Sequence, residues 1–218
     1  MNEKDLQNYI RRYTEGMNQY GYGAEALGWG KNGRQDVRFY ALCEDVLKDK
    51  HSSVLDVGCG FADLYRFLKL NGWDGAYTGI DIVPALVDKG KELSPEADIR
   101  NCDLDVSIGN FDYVVASGIF NAKLIDCHNS DHIASMVNTM FQVARKAVLV
   151  DFLSTYVDFE KEEGWHTSPE WAYALGRSLS KRLALRSDYL PFEFALYVYK
   201  DDSLSNRNVF NQFEKDIT

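Results

Sequence analysis

From residue 53 onward the chain switches repeatedly between two periods of hydrophobicity. Ser53-Val54-Leu55, Ala76 to Ile80, a short stretch around Asp98 to Cys102, Phe111 to Ala116 and Ala147 to Phe152 read as strands. Between them, apolar residues recur at helical spacing. Leu64, Phe67 and Leu68 form one such stripe, stopped by Asn71-Gly72. Pro84 opens a helix reaching about Leu93, and Ile133, Met136, Val137, Met140, Phe141 and Ala144 form another, capped by Asn129, Ser130 or Asp131. Ser168-Pro169-Glu170 opens a fourth. Leu183 to Arg186 and Phe192 to Tyr199 close the pattern as two strands. The turn between them, Asp188 to Pro191, is too short for a crossover helix, so this pair is antiparallel.

The first fifty residues precede the sheet. Leu6, Tyr9, Ile10 and Tyr13 share one helical face, and Phe39, Leu42, Cys43, Val46 and Leu47 another. Between them lies Gly16 to Gly33, rich in Gly, Tyr and Asn, a length at which unstructured loops often act as lids. Tyr20, Tyr22 and Trp29 could cover an apolar ligand there, or simply pack on the core. The expectation is an α/β chain, doubly wound, forming one structural domain. Residues 1–50 would be a helical cap or lid, and residues 51–218 the core.

Composition narrows the function. A net charge of −9 disfavours nucleic acid, whose phosphates call for clustered Lys and Arg. No apolar run approaches a membrane span, and the opening MNEKDLQNYIRR lacks the apolar stretch of a signal peptide. Cys43, Cys59, Cys102 and Cys127 are scattered without a CxxC pair and read as reduced thiols, which makes the expected location cytoplasmic. Asp126, Cys127, His128, Asp131 and His132 lie close in sequence, yet match no metal spacing, so no metal is expected. The oligomeric state is left open.

The chemistry concentrates at Asp56-Val57-Gly58-Cys59-Gly60, a strand breaking into a tight glycine loop ahead of a helix. Glycines there let the backbone pass close to a ligand. Asp81 ends the second strand, where a carboxylate can accept from both hydroxyls of a ribose. Asp103-Leu104 ends the third, offering an acceptor for an adenine amino group and an aliphatic side chain for its ring. The three acids stand 25 and then 22 residues apart, which suits successive strand–loop–helix units. The dinucleotide fingerprint fails, because Asp63 holds its third glycine position. An added acid at Asp56 suits an ammonium better than a pyrophosphate.

VLDVGCG followed by Asp81 and Asp103 resembles the class I S-adenosylmethionine-dependent methyltransferases over Ser53 to about Asp151. One departure is Ala62, where many members carry glycine. The resemblance implies a seven-stranded, mostly parallel Rossmann-like methyltransferase sheet with one antiparallel strand. It also implies S-adenosylmethionine as cofactor and S-adenosylhomocysteine as product. The cofactor residues it points to are Asp56, Gly58, Cys59, Gly60, Asp81, Ile82, Asp103 and Leu104. Ser117 and Gly118 join them, with carbonyls for the ammonium. Gln35 or Arg38, in a segment similar to one preceding the glycine motif in some small-molecule methyltransferases, would reach the cofactor carboxylate; Arg34 reads as solvated. The expected acceptor is a small molecule methylated on O or N, lined by Tyr22, Trp29, Asn121 and Tyr156. Its rings and the acidic balance give weight to an apolar or cationic amine. The general base stays open among Asn121, His128, His132, Tyr156 and His166. Alternatives are a protein substrate, a non-catalytic cofactor-binding partner and a nicotinamide oxidoreductase.

Overall fold

The computed structural model describes residues 1–28 and 34–201. Before the sheet come α1 (Glu3–Tyr20), α2 (Arg34–Leu42) and α3 (Glu44–Lys48). Strands and helices then alternate: β1 (Val54–Val57), α4 (Asp63–Leu70), β2 (Tyr77–Asp81), α5 (Pro84–Leu93), β3 (Asp98–Asn101), β4 (Phe111–Ala116), α6 (Asn129–Val143), β5 (Ala144–Leu153) and α7 (Pro169–Leu179), closing with β6 (Leu183–Arg186) and β7 (Glu193–Tyr199). The seven strands lie in the order β3-β2-β1-β4-β5-β7-β6, with β7 antiparallel to both neighbours and every other pair parallel.

The strands divide their side chains between two cores, as the pleat requires. Val54, Tyr113, Val115, Leu149 and Tyr197 face α2, α3 and α4, where Leu42, Val46, Leu64 and Leu68 meet them. Leu55, Val114, Val148, Phe152 and Leu196 face α6 and α7, meeting Ile133, Val137, Met140 and Ala172. The Asn71-Gly72 stop operates as expected: Asn71 is the C-cap of α4, and Gly72 takes φ +79°. Ser168 caps α7 by accepting from the Trp171 amide at 3.1 Å. The cap of α6 differs from expectation. His128 holds the N-cap, while Asn129 spends its amide on the preceding loop, accepting from Leu124 N at 3.0 Å and donating to Ala122 O at 2.8 Å.

The N-terminal segment lies over the carboxyl edge of the sheet. Asp5, buried near the start of α1, accepts from the amides of Ile125 at 2.7 Å and Cys127 at 3.0 Å and, less closely, Asp126. Tyr9 donates to Ile119 O at 2.7 Å. From Gly16 to Gly28 the chain is less of a loop than its composition predicts. Helix α1 runs on to Tyr20, Gly21 ends it at φ +68°, and residues 22–28 form turns that bury Ala26. Trp29 lies outside the described residues, so its expected place over a ligand is not described.

Candidate active site

Where β1 ends, the chain turns across β2: the amides of Gly58 and Cys59 both donate to Ile80 O, at 2.8 and 3.0 Å. Gly58 sits at φ +73°, and a Cβ there would lie 2.2 Å from Ile119 Cγ2, so the loop after β1 and the loop after β4 touch only because this residue has no side chain. Gly60 takes φ +53°. Ala62 takes φ 59°, the one non-glycine with positive φ among the described residues. That conformation costs an alanine about 1–2 kcal/mol, partly offset here by full burial of its methyl.

Three carboxylates stand around this loop. Asp81 ties it down, accepting from Gly60 N at 2.9 Å and Val83 N at 2.8 Å, with a second lone pair left on each oxygen. Burial raises its carboxyl above the usual range against those amides. Asp56 is buried on β1 and accepts from Tyr77 Oη at 2.7 Å. Its burial, with the charges of Asp81 and Asp63, outweighs that bond and pushes its carboxyl up to about 7. Asp103 is exposed after β3, accepting from the Leu104 amide at 2.7 Å.

A narrow cavity of about 120 Å³ runs over the loop. Asp56, Gly58, Cys59, Gly60, Asp81, Ile82, Asp103, Leu104, Ser117 and Gly118 all line it, as does Gln35, whose amide donates to Asp63 at 3.3 Å. Tyr9, Tyr13, Leu27 and Phe39 close it from the cap, and His132 and Met136 from α6. Burial lowers the His132 imidazole below its ordinary range. A second, broader cavity of about 1020 Å³ opens on the other side of Gly118. It lies between the cap, the loop 157–164 after β5, and the start of β7. The two cavities share Tyr13, Leu27 and Gly118.

Several expected site residues lie elsewhere. Arg38 is not with Gln35. One helical turn further along α2, it pairs with both carboxylate oxygens of Glu193 and faces the second cavity. Glu193 opens a strand inserted between β5 and β6, a neighbour no local reading supplies. Tyr22 is a surface residue over α4, donating to Asp63 at 3.0 Å, its ring edge-on to Phe61. Tyr156 is exposed and donates to Glu170. His128 is exposed at its cap and lines neither cavity, whereas His166 lines the second. Asn121 also lines the second cavity, and its Oδ1 accepts from Leu153 N at 3.1 Å.

Sequence reasoning missed Asp151. Fully buried at the end of β5, it accepts from Ser117 Oγ at 2.5 Å and Gly118 N at 2.7 Å, so it sets the turn between the two cavities. Burial and the Glu193 charge raise its carboxyl to about 6, against those two bonds and Arg38. Its signal was an acid inside the apolar run VLVDFL. Tyr9 and Tyr13 were visible as a helix face, but not as walls of a site.

No family model matches the chain. It is 32% identical over 156 residues to Rv1506c of Mycobacterium tuberculosis, a protein whose name assigns it provisionally to the methyltransferases; the match spans 68% of this chain and 93% of that one. Its fold is shared with the magnesium protoporphyrin IX methyltransferase of Synechocystis PCC 6803 with bound SAH (TM-score 0.62, 13% identity, 90% of this chain and 100% of that one). A TehB-like SAM-dependent methyltransferase from Corynebacterium glutamicum is also similar (TM-score 0.55, 21% identity, 91% and 98%).

Proposed function

This chain belongs to the class I S-adenosylmethionine-dependent methyltransferases, and we propose that it methylates an oxygen or nitrogen atom of a small molecule held in the second cavity. The observation that carries this reading is the junction at Tyr13, Leu27 and Gly118, the three residues common to both cavities. A donor in the narrow cavity and an acceptor in the broad one would meet there.

The residues of the narrow cavity fit the cofactor. Asp56 accepts one hydrogen bond from Tyr77 and retains lone pairs for an ammonium, a role the Ser117 and Gly118 carbonyls would share. Asp81 is available to ribose hydroxyls, and Asp103 to the adenine amino group. Ile82, Leu104 and Met136 supply an apolar wall for the purine. Gln35 is the polar residue of α2 that lines this cavity, and we assign it to the carboxylate end. Bound S-adenosylmethionine supplies a methyl group already activated on a sulfonium. The chain's own task is therefore to position the acceptor and exclude water. Tyr13 and Leu27 cover the junction, and Asp151 fixes the Ser117-Gly118 turn beneath it.

We assign the general base to His166, the imidazole of the second cavity. Its Nδ1 is buried without a partner among the described residues, so no hydrogen bond fixes its tautomer. The first fifty residues act as the cap of one structural domain. The test is to incubate the protein with methyl-labelled S-adenosylmethionine and a cell extract, then separate small molecules from macromolecules. Label is expected in the small-molecule fraction; label confined to protein would overturn the acceptor class.

A further inference from the structure

The second cavity is lined by four cations, Arg12, Arg34, Arg38 and Lys161, and four carboxylates, Asp158, Glu162, Glu163 and Glu193, a balance that the chain as a whole, at −9, does not have. Its cap wall carries Arg12 from α1 and Arg34 and Arg38 from α2. Arg34 and Arg38 are four apart on one helical face, and the inner one, Arg38, is matched by Glu193. Arg12 and Arg34 have no hydrogen-bond or ion-pair partner among the described residues. Elsewhere the arginines that have carboxylates in reach use them: Arg66 on Asp63, Arg100 on Asp98, Arg182 on Asp201, and Arg186 on Glu44 and Asp188. Arg11, Arg145 and Arg177 also have no carboxylate partner among the described residues; what sets Arg12 and Arg34 apart is that both line the same cavity. Arg12 is also adjacent to the junction residue Tyr13, whose phenol it holds down against the effect of burial.

We propose that the acceptor carries an anionic group, a carboxylate or a phosphate, which Arg12 and Arg34 grip while the nucleophilic atom reaches the Tyr13–Leu27–Gly118 junction. This deepens the small-molecule reading and rests on it. A guanidinium presents paired donors that match either anion, and two of them from separate helices fix orientation as well as charge. The anion stays unmethylated and charged in the product, because the guanidiniums hold it while a different atom of the acceptor reaches the junction. Beside Lys161, the loop 157–164 carries the exposed acids Asp158, Glu162 and Glu163 along this cavity. They are the competing partners for the same guanidiniums.

The experiment compares the full chain with Arg12→Gln/Arg34→Gln and with Asp158→Asn/Glu162→Gln/Glu163→Gln. Each receives methyl-labelled S-adenosylmethionine and a small-molecule extract at subsaturating concentration, and the products are resolved on an anion exchanger at neutral pH. S-adenosylhomocysteine affinity and the thermal midpoint are measured for each. The labelled product is expected on the anion exchanger. The arginine variant should label it roughly tenfold or more slowly, the loss expected for a charge-assisted contact, with S-adenosylhomocysteine binding and midpoint unchanged. The loop variant should label at least as fast as the parent. Phosphatase treatment releases the product from the exchanger if the group is a phosphate monoester and leaves it bound if it is a carboxylate. A labelled product that flows through untreated, undiminished labelling by the arginine variant, or an equal loss in the loop variant overturns the proposal while leaving methyl transfer intact. Absence of any labelled small molecule despite S-adenosylhomocysteine binding overturns the function proposed above, and this inference with it.

Discussion

In the proposed cofactor site, Asp56 would make binding a proton-linked event. Its carboxyl is raised from 3.8 to about 7, first by burial and then by the neighbouring acids. An ammonium placed beside it needs the carboxylate, so binding must expel the proton that the empty site holds. With a carboxyl at about 7, roughly one site in ten is ionised at pH 6 and nine in ten at pH 8, which predicts about a tenfold gain in S-adenosylhomocysteine affinity across that interval. Asp56→Asn should bind about ten- to hundredfold more weakly at the upper end, the loss of one charge-assisted bond, and should lose the slope below neutrality. Calorimetric titration in two buffers of different ionisation heat counts the released protons directly. Wild-type affinity that is flat from pH ~6 to ~7, with no proton released, would refute the reasoning. The ligand-free protein should show the opposite trend. A buried acid whose folded carboxyl is raised contributes stability fully below about pH 4, and that contribution is lost as pH climbs toward 7, on the order of a few kcal/mol; Asp151, at about 6, acts in the same direction.

Other substitutions probe separate parts of the site. Asp81→Asn should weaken S-adenosylhomocysteine about ten- to hundredfold with the fold retained. Asp81→Ala should also lower the thermal midpoint, because the amides of Gly60 and Val83 lose their acceptor. Gly58→Ala combines a positive φ with a clash on Ile119 Cγ2 and should cost more than the ~1–2 kcal/mol of the φ alone. Adding Ile119→Ala should restore part of that loss in thermal unfolding, and no recovery would show that the contact is unimportant. Asp5→Ala leaves the amides of Ile125, Asp126 and Cys127 without their acceptor, at about 1–3 kcal/mol. Hydrogen exchange should speed up in residues 3–20 and 125–127 and stay unchanged in the sheet.

The elements from β1 to α5 and the closing antiparallel pair were legible because each has its own period, stop or cap, and these signals are local. The three acids were legible for the same reason: each stands at or within two residues of the end of a strand, and strand ends share one edge of a parallel sheet. What the sequence concealed depends on pairings across the fold. Arg38 looked suited to a cofactor carboxylate until β7 brought Glu193 against it. Tyr22 looked like a lid residue, but α1 extends further than its glycine and asparagine content suggests, and the ring lands on α4 instead. The acidic total argued for a cationic acceptor, although net charge describes the whole surface and carries no information on which side chains share a cavity wall.

The contact between Gly58 and Ile119 has a thermodynamic corollary. Ile119 touches the glycine loop through its side chain and receives the Tyr9 hydroxyl through its carbonyl. The Tyr9 ring lies 5.3 Å from that of Tyr13, a wall of both cavities. One short chain of residues therefore spans the two cavities. Whatever free energy a ligand in the narrow cavity contributes to binding in the broad one by steadying that chain must reappear, equal in size, as its own tighter binding once the broad cavity is filled. Affinities measured for either ligand alone would then understate both, and the ternary complex would be favoured over either binary one.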